Sequence, residues 1–370
     1  MKLLMISGDS TIGMYNKGMF YQMLKGFSKY WDRIDIICPK IGDSEEKTIH
    51  DHIHIWPVKP THIIIMRRIY NKALEIWKKS KFDVMIVHDG PPFYHGIAGY
   101  LLSKKLKVPY VLEFFHIVGH PKAANLKEKV EKFLYRLYAG WASKNCSFVR
   151  SMHKGEVPDF LQRHGVSKNK IKCLYANYID FDSWKPCKVK KKYDLIFCGR
   201  LAENKGLFLL LKALKIAKKQ FPHILLAIKG NGKLRRKLDR FIKVNGLLNN
   251  VTFIDKTLTL PELVKEINKA RVLICTSFNE GGPRVTLEAM ACGIPVITTK
   301  VGIMNEVIKH NQNGLFIDWS SSDIAEKIVL LLKNDSLRKK IRINSIKAVQ
   351  GFDYTKLIKN YALGCQGAVK

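Results

Sequence analysis

The chain has 370 residues, 46% of them hydrophobic, and its 64 lysines and arginines outnumber 31 acidic residues to give a formal net charge of +33. This length can bury a sizeable core, which argues against a single small binding module and predicts two domains. No apolar run reaches the roughly 20 residues that cross a bilayer, and the first segment lacks a signal-peptide pattern, so we expect a soluble, cytoplasmic protein that attracts anionic partners.

The eight cysteines predict neither a disulfide framework nor a zinc site. They are scattered, form no C-x-x-C pair, and lie mostly in apolar segments. We therefore expect reduced thiols in the core, with no metal and no cofactor.

The first half of the chain alternates β-branched runs with amphipathic, lysine-rich segments. In chain order the runs are "KLLMIS", "RIDIIC", "HIHIWPV", "FDVMIVH", "VPYVLEFF" and "KCLYA", and the helical segments include "YNKGMFYQMLKGFSKYW" and "IIIMRRIYNKALEIWKK". Strands that alternate with helices predict an α/β fold with parallel sheets built from βαβ units. We assign the first domain to residues 1–182.

The stretch "FDSWKPCKVKKKYDLIFCGR" interrupts this alternation and predicts a linker near residues 183–192. A second domain, residues 193–350, repeats the alternation through "YDLIFC", "HILLAIKGNG", "NVTFID", "RVLICTS" and "IPVITT". We expect residues 351–370 to form a helix that packs back toward the first domain. Two doubly wound domains would place a cleft at the carboxyl ends of their strands.

The stretch "NEGGPRVTLEAMACGIPVI" lies between two of these predicted strands. Pro283 suits the first turn of a helix that Gly293 ends. Glycines at the end of a strand let backbone N–H groups approach a ligand, and the helix dipole there favours negative charge. Glu280 and Glu288 stand eight positions apart, and a carboxylate can accept from two neighbouring hydroxyls at once. The pattern therefore predicts recognition of a polyhydroxyl group such as a ribose or hexose.

This stretch resembles the E-x7-E signature of the family 4 retaining glycosyltransferases (glycosyl transferases group 1), which have the GT-B fold of two Rossmann-like domains. The segments "FCGRLAENKGLFLLLKAL", "AIKGNG" and "ANYIDFDSWKP" are similar to further motifs of that family, and together they cover most of residues 171–318. The resemblance implies metal-independent transfer of a hexose from a UDP- or GDP-linked nucleotide-sugar donor to a glycan or lipid-linked acceptor. Such a transfer would serve polysaccharide biosynthesis.

The resemblance also implies roles for individual side chains. Arg200 and Lys205 would bind the donor diphosphate and stabilise the leaving group, although they are also two cations among 64. Glu288 would bind the ribose diol, unless it only stabilises a helix, and Glu280 would contact the transferred sugar. The expected donor-binding residues are Gly13, Gly199, Gly230, Gly281, Gly282, Pro283, Arg284, Val285 and Glu288.

Four polar residues of the first half are candidates for the reaction centre. His116, just after "VLEFF", resembles the position of the family's active-site histidine, although a histidine after an apolar strand is often structural. His120 is a weaker candidate. His88 and Asp89 end another predicted strand, where a contact with the acceptor and a structural role are equally consistent with the sequence.

Two glycine assignments stay open. Gly13, in the first strand-to-helix loop, could admit a donor phosphate to backbone N–H groups, and Gly8 and Gly18 compete for that assignment. The family often has Val-Gly-Gly where residues 301–303 read Val-Gly-Ile, which leaves a phosphate contact near Gly302 open.

Three tempting patterns carry little weight. His50, His52 and His54 alternate as on one face of an exposed strand, which is a better explanation than a metal site. The "DFD" of residues 180–182 matches the metal-binding motif of GT-A enzymes but lies in the lead-in to the predicted linker. The "GNGKLR" of residues 230–235 lacks the third glycine of a dinucleotide fingerprint.

The segments "IIIMRRIYNKALEIWKKSK" and "LKEKVEKFLYRLYAGWASK" combine apolar and aromatic residues with cations. They suit docking on an anionic membrane, which would place the enzyme at the inner face of the cell membrane; packed helices with a solvated lysine face fit equally well. Two other functions remain: a sugar-nucleotide epimerase or hydrolase of the same architecture, and a basic nucleic-acid-binding protein. No nucleic-acid-binding signature supports the last, so we expect no nucleic-acid partner.

Overall fold

The chain folds into two compact units. The computed structural model describes residues 1–13, 18–61 and 64–369. The first unit comprises Met1–Ile117, Val130–Ala176 and Thr355–Lys370, and the second comprises Val118–Lys129 and Asn177–Tyr354. The division after Ala176 falls shortly before the linker predicted near residues 183–192, and the end of the chain groups with the first unit.

The first unit contains an eight-stranded sheet. Its strands are β1 (Lys2–Ile6), β2 (Arg33–Pro39), β3 (Lys47–Ile49), β4 (Ile53–Val58), β5 (Val84–His88), β6 (Tyr110–Phe114), β7 (Phe148–Ser151) and β8 (Ile171–Cys173). The spatial order is β3-β4-β2-β1-β5-β6-β7-β8, and every neighbouring pair is parallel except β3 with β4. Strands β5 and β6 are buried along their whole length, as expected for central strands covered on both faces.

Helices connect these strands. They are α1 (Ser10–Gly13), α2 (Met19–Phe27), α3 (Ile64–Lys79), α4 (Tyr94–Leu106), α5 (Leu126–Asn145) and α6 (Glu156–Arg163), with 3-10 turns at Ser28–Tyr30 and Lys168–Lys170. Residues 14–17 and 62–63, which belong to two of the predicted segments, lie outside the described residues. Helix α3 buries Ile69, Ala73 and Ile76, whose spacing places them on one helical face.

The prediction that three alternating histidines share an exposed strand is wrong. Only His54 lies in β4, whereas His50 (φ 47°) and His52 lie in the turn from β3 to β4. The left-handed backbone at His50 and Asp51 turns the chain there, and β4 itself buries most of its length. Among the described residues, no cluster of histidine, cysteine and acidic side chains is arranged to hold a metal ion.

The second unit contains a six-stranded parallel sheet. Its strands are β9 (Tyr193–Cys198), β10 (Leu226–Lys229), β11 (Val251–Ile254), β12 (Ala270–Cys275), β13 (Val296–Thr299) and β14 (Leu315–Ile317). In the order β11-β10-β9-β12-β13-β14, the direction of chain progression reverses between β9 and β12. Loops that leave neighbouring strands at such a point form a crevice. We call residues 199–206 the β9 loop and residues 276–283 the β12 loop.

The helices of the second unit cover both faces of this sheet. They are α7 (Leu207–Ala217), α8 (Arg235–Val244), α9 (Leu260–Asn268), α10 (Arg284–Ala291), α11 (Met304–Val307), α12 (Ser321–Lys333) and α13 (Asp335–Ala348), with 3-10 turns at Glu203–Lys205 and Gln350–Phe352. Leu210, Leu214, Ile324 and Ile328 from α7 and α12 are fully buried in one core, each contributing about 2 kcal/mol by leaving water. The last helix, α14 (Tyr354–Gln366), lies almost entirely in the first unit.

Two further observations bear on the expectations from sequence. All eight cysteines are free thiols, five of them are buried, and Cys187 is exposed. No helix in the described part of the chain combines the length and the apolar character that a membrane span requires.

Candidate functional site

The β9 and β12 loops are bonded to each other at the switch point of the second sheet. The backbone N–H of Phe278 donates to the carbonyl of Asn204 over 2.7 Å, and Thr276 Oγ1 donates to the carbonyl of Lys205 over 2.9 Å. Gly206 has φ 65°, and a Cβ there would overlap the carbonyl oxygen of Thr276. Glycine is therefore required for the two loops to approach.

The two loops meet through an ion pair. Lys205 Nζ lies 2.7 Å from Glu280 Oε1, and the two side chains are only 14% and 15% exposed. Ser277 Oγ donates a hydrogen bond to the same carboxylate oxygen. Water screens such a largely buried pair less than a surface pair. Lys205 and the Ser277 hydroxyl together hold Glu280 in one orientation.

A second ion pair lies one helical turn into α10. Arg284 Nε donates to Glu288 Oε1 over 2.9 Å, and the Arg284 guanidinium lies 4.3 Å from the centre of the Tyr178 ring. Burial raises the pKa of Glu288, while the charge and hydrogen bond of Arg284 oppose that rise. Burial and the nearby Glu288 carboxylate raise the pKa of the Cys198 thiol to about 12, so the thiol stays protonated beside it.

Both ion pairs border one cavity of about 180 Å³. A cavity below the usual 300 Å³ of a whole ligand site accommodates part of a larger ligand. Lys205, Arg284 and Glu280 line this space, and Glu288 bonds to Arg284 beside it. Such cations and carboxylates can bind both phosphate oxygens and hydroxyl groups. The lining residues are Phe197, Cys198, Lys205, Ile274, Cys275, Ser277, Glu280, Pro283, Arg284 and Val285.

Backbone amides at the start of α10 add donors to this site. The N–H groups of Gly281 and Gly282 donate no hydrogen bond within the described residues. A Cβ on Gly282 would overlap the side chains of Asn177 and Ile303, and Gly302 (φ 50°) packs directly on the carbonyl of Gly281. The isoleucine at position 303, which departs from the family pattern, therefore packs against the glycine turn.

Three further candidates lie just after β9 and β10: Gly199 and Arg200 in the β9 loop, and Gly230 directly after β10. The N–H of Gly199 donates to the carbonyl of Lys229 over 2.9 Å, and a Cβ on Gly230 (φ 148°) would overlap the Gly199 carbonyl. These glycines therefore bring the ends of β9 and β10 together. Arg200 is exposed, its side chain has no partner among the described residues, and it is not part of the cavity lining.

Some candidates belong to the first unit. His116 follows β6 by two residues, is partly exposed, and its carbonyl accepts from the Tyr135 hydroxyl over 3.4 Å. Gly13 ends α1 and is buried against Cys38 and Pro39, while Gly8 is exposed after β1. His120 lies in the segment Val118–Lys129 of the second unit.

His88 is part of a buried polar network in the first unit. Its Nδ1 lies 3.0 Å from Ser7 Oγ and its Nε2 lies 3.2 Å from Glu113 Oε2, while Arg150 Nη1 donates to Glu113 Oε1 over 2.8 Å. Burial alone would raise the pKa of Glu113, but Arg150 and His88 hold that pKa at about 2. The Arg150 guanidinium lies 3.5 Å from the centre of the Tyr361 ring. His88 therefore contributes to a charged core network.

The structure adds functional candidates that the sequence analysis missed. Ser277 orients Glu280, and its own carbonyl accepts from Thr299 Oγ1 over 2.7 Å and from Trp319 Nε1 over 2.9 Å. The sequence offered one signal for Ser277: it is a polar residue just after a buried strand and three positions before Glu280. Tyr178, in the segment "ANYIDFDSWKP", contacts Arg284.

Comparison with known proteins points to the family that the sequence motifs resemble. Residues 179–348 match the family described as "Glycosyl transferases group 1". An uncharacterized glycosyltransferase of Methanocaldococcus jannaschii is 27% identical over 280 residues, which cover 74% of this chain and 72% of that protein. A GalNAc-alpha-(1->4)-GalNAc-alpha-(1->3)-diNAcBac-PP-undecaprenol alpha-1,4-N-acetyl-D-galactosaminyltransferase of Campylobacter jejuni is 27% identical over 283 residues, 76% of this chain and 73% of that protein.

A similar fold is found among solved structures. The crystal structure of Anabaena HepE in complex with UDP and glucose superimposes with a TM-score of 0.77 at 19% identity, over 99% of this chain and 100% of that one. With its two Rossmann-like sheets this chain has the GT-B fold, and its residues 179–348 carry the pattern of the group 1 glycosyltransferases.

Proposed function

We propose that the chain is a retaining glycosyltransferase that transfers a sugar from a nucleotide-sugar donor to a glycan or lipid-linked acceptor. The observation that carries the proposal is the cavity at the switch point, which the Lys205–Glu280 pair and Arg284 line at the amino end of α10, with Glu288 bonded to Arg284 beside it. Two relatives support the class: the Campylobacter protein is named as a GalNAc transferase acting on an undecaprenol diphosphate, and HepE was solved with UDP.

The two carboxylates would bind the hydroxylated parts of the donor. Glu288 would accept from the two ribose hydroxyls, with Arg284 favouring its ionised form against the effect of burial. Glu280, already oriented by Lys205 and Ser277, would face the transferred sugar and stabilise the positive charge that develops on its ring.

The cations and free amides would bind the diphosphate. Lys205 borders the cavity, and Arg200, exposed on the same loop, is available to a ligand. The N–H groups of Gly281 and Gly282 and the dipole of α10 favour an anion at the same place. As the bond from the sugar to the diphosphate breaks, the leaving group gains negative charge, which these groups stabilise. The acceptor oxygen bonds to the same face of the sugar, and His116 is our candidate in the first unit for a contact near the reacting carbon.

The proposal is tested by donor binding and by transfer. Among UDP-, GDP-, ADP- and dTDP-sugars, we expect one class to raise the thermal unfolding midpoint, because a bound ligand stabilises the folded chain. We expect Arg200→Ala to lower turnover by about 100-fold. Arg240→Ala, at an exposed arginine of α8, is the control and should retain full turnover.

Two outcomes would contradict this assignment. Near-normal turnover of Arg200→Ala would remove Arg200 from diphosphate binding. Consumption of the donor at the full rate without any acceptor would favour the epimerase or hydrolase alternative.

We also propose that the reaction needs no metal ion, because Lys205, Arg200 and the α10 amides supply the positive charge at the diphosphate. Turnover should therefore be unchanged after treatment with EDTA and removal of the chelator complex. Loss of turnover that Mg²⁺ or Mn²⁺ restores would contradict metal independence.

The exposed apolar face of α5 would dock on an anionic membrane, and this docking would bring the enzyme to its acceptor. This helix exposes Val130, Phe133, Leu134, Leu137 and Trp141, while Tyr135, Ala139 and Ala142 on its opposite side are buried. The exposed positions follow the i, i+3, i+4, i+7, i+11 spacing of one helical face. Exposed cations at Lys129, Arg136 and Lys144 accompany that face. Helix α3, the other segment with this composition, packs its apolar face inside the first unit.

Vesicle sedimentation tests this docking surface. We expect the protein to bind vesicles containing phosphatidylglycerol more tightly than neutral phosphatidylcholine vesicles, since lipid charge and apolar burial act together. Phe133→Ser with Leu137→Ser should weaken that binding about 10-fold or more, because two large side chains lose their burial. Val244→Ser, at an apolar residue of α8 that is 76% exposed, is the control. Equal binding to both vesicle types would contradict the proposal.

A further inference from the structure

A second cavity of the second unit lies at the amino ends of its strands, opposite the cavity that holds Glu280. The cavity has a volume of about 340 Å³ and forms where β9, β12 and β13 begin. Lys191 comes just before β9, Arg271 is the second residue of β12, and Pro295 directly precedes β13. Since β12 has six residues, this cavity and the one that holds Glu280 are about 17 Å apart along the strand.

Cations from three elements converge on this cavity. Lys191 Nζ donates to the carbonyls of Asn268 and Ala270 over 2.8 and 2.7 Å, which fixes its position without neutralising its charge. Arg271 Nε lies 3.6 Å from Asp194 Oδ1, a distance longer than a hydrogen bond. Arg271 is thus paired with Asp194 without a hydrogen bond, and both cations keep N–H donors that can bind a ligand.

Helix α13 supplies the remaining cations. Arg338 and Arg342 are four residues apart and share one face of this helix. Arg338 is held by the carbonyl of Leu332 over 2.8 Å. Gly293 (φ 67°) lines the cavity opposite Arg342, and a Cβ at Gly293 would lie only 3.1 Å from Arg342 Cγ. The glycine thus lets the arginine-bearing face of α13 reach the cavity.

The charges that line the cavity are unbalanced. Burial, together with the charges of Arg342 and Arg271, lowers the pKa of Lys191 to about 8, and burial and Arg271 lower the pKa of Arg338. Asp335 is the carboxylate of the lining, and it bonds to Arg338. The lining is completed by Lys339. Repulsion among these cations is relieved when an anion enters.

We propose that this cavity is a binding site for a phosphate-bearing anion with at least two negative charges, held by Lys191, Arg271 and Arg342. Guanidinium groups match the geometry of phosphate oxygens, and a diphosphate fits the volume. The position at the amino ends of the strands separates this site from the one proposed for the sugar donor, so the two proposals stand or fall independently.

Titration calorimetry with inorganic pyrophosphate tests the site. The starting protein is the full chain with Arg200→Ala and Lys205→Ala, in which the proposed donor site is disabled. We expect one equivalent of pyrophosphate to bind. Adding Arg271→Gln and Arg342→Gln should weaken that binding about 10-fold or more, because two charge-assisted contacts are lost. Arg342→Lys alone, which keeps the charge, should retain most of the affinity.

The control is Lys212→Gln with Lys219→Gln, which removes the same charge from exposed positions of the same unit. We expect it to change the affinity by about twofold or less, since distant surface charges are screened. A parallel arm uses phosphatidylcholine vesicles with and without phosphatidic acid. A selective loss for Arg271→Gln/Arg342→Gln with pyrophosphate identifies a free phosphate compound, and a selective loss with phosphatidic acid identifies a lipid headgroup.

Equal binding by the Arg271→Gln/Arg342→Gln protein and the control in both arms would overturn the proposal. That result would assign the binding to the general field of a chain with net charge +33. The absence of pyrophosphate and phosphatidic acid binding in the starting protein would overturn it as well.

Discussion

Burial is the main influence on the pKa of the Asp89 carboxyl group. The residue follows β5, is 7% exposed, and lies beside the Tyr138 hydroxyl and the backbone of Gly96. Burial raises the pKa of Asp89 from 3.8 to about 6, although Tyr138 and nearby backbone groups act in the opposite direction. At neutral pH, the folded chain therefore carries a buried charge that costs stability.

The sign of the pH dependence follows from this raised pKa. The protonated carboxyl stabilises the fold below about pH 4, and this contribution is lost as the pH rises through about 6. A rise from 3.8 to about 6 corresponds to about 3 kcal/mol. An asparagine at this position cannot ionise, so Asp89→Asn should not lose this stability as the pH rises. The free energy of unfolding of Asp89→Asn minus that of wild type should therefore increase by about 3 kcal/mol between pH 4 and pH 7.

Urea denaturation at both pH values measures the effect. Asp43→Asn, at an exposed position, is the control and should follow the wild-type pH dependence. Parallel curves for Asp89→Asn and wild type would show that Asp89 is ionised throughout this range.

For individual residues of the candidate site, the sequence predicted their identities better than it predicted their contact partners. The spacing of Glu280 and Glu288 around a glycine turn indicated two carboxylates at a strand end, and both lie at the cavity or beside it. The direct contact of Lys205 with Glu280 was not predictable, because it depends on how closely two loops 75 residues apart in sequence approach. Arg200, assigned with Lys205 from one motif, stands outside the cavity lining.

At the scale of elements, the approach of the β9 and β12 loops depends on one glycine. Gly206 and Gly246 both have φ 65°, but a Cβ at Gly206 would overlap Thr276, whereas a Cβ at Gly246 meets nothing within 4 Å. We expect Gly246→Ala to cost about 1 kcal/mol, the strain of a left-handed alanine. Gly206→Ala should cost more, because the loops must also separate.

Thermal unfolding and donor binding measure this difference. Separation of the loops would move Lys205 away from Glu280, so Gly206→Ala should also weaken donor binding while Gly246→Ala leaves it unchanged. Equal costs and equal donor affinities for the two variants would show that the loop contact with Thr276 has no effect on the site.

The predicted elements were most accurate where the apolar pattern was long. The strand "RVLICTS" is β12 and the helix "RVTLEAMAC" is α10, with Gly293 two residues beyond its last residue. Pro283 lies at the position just before that helix, one step earlier than predicted. Strands β3, β7 and β14 were missed, because three or four residues carry too little periodicity to distinguish a strand from a loop.

At the scale of the whole molecule, the last helix is part of the first unit's core. Helix α14 buries Leu357, Ile358 and Tyr361, and the Tyr361 ring covers the Arg150 guanidinium. The sequence led us to expect a helix that packs toward the first domain, but its contact with Arg150, more than 200 residues away along the chain, was not predictable. Deletion of residues 354–370 would expose these side chains and uncover a buried charge.

We expect this deletion to destabilise the first unit, since each large apolar side chain contributes about 2 kcal/mol. Hydrogen exchange measured by mass spectrometry should show loss of protection in β6 and β7, while β9 and β12 in the second unit stay protected. Removal of Val369 and Lys370 alone is the control. Uniform loss of protection in both sheets would contradict independent stability of the two units.

The grouping of Thr355–Lys370 with the amino-terminal sheet has a consequence for synthesis on the ribosome. The amino-terminal sheet is translated first, yet the helix that covers Arg150 is translated only after all six strands of the other sheet. The six strands of the other sheet emerge while that helix is still missing, so the second half of the nascent polypeptide can complete its core before the first half does.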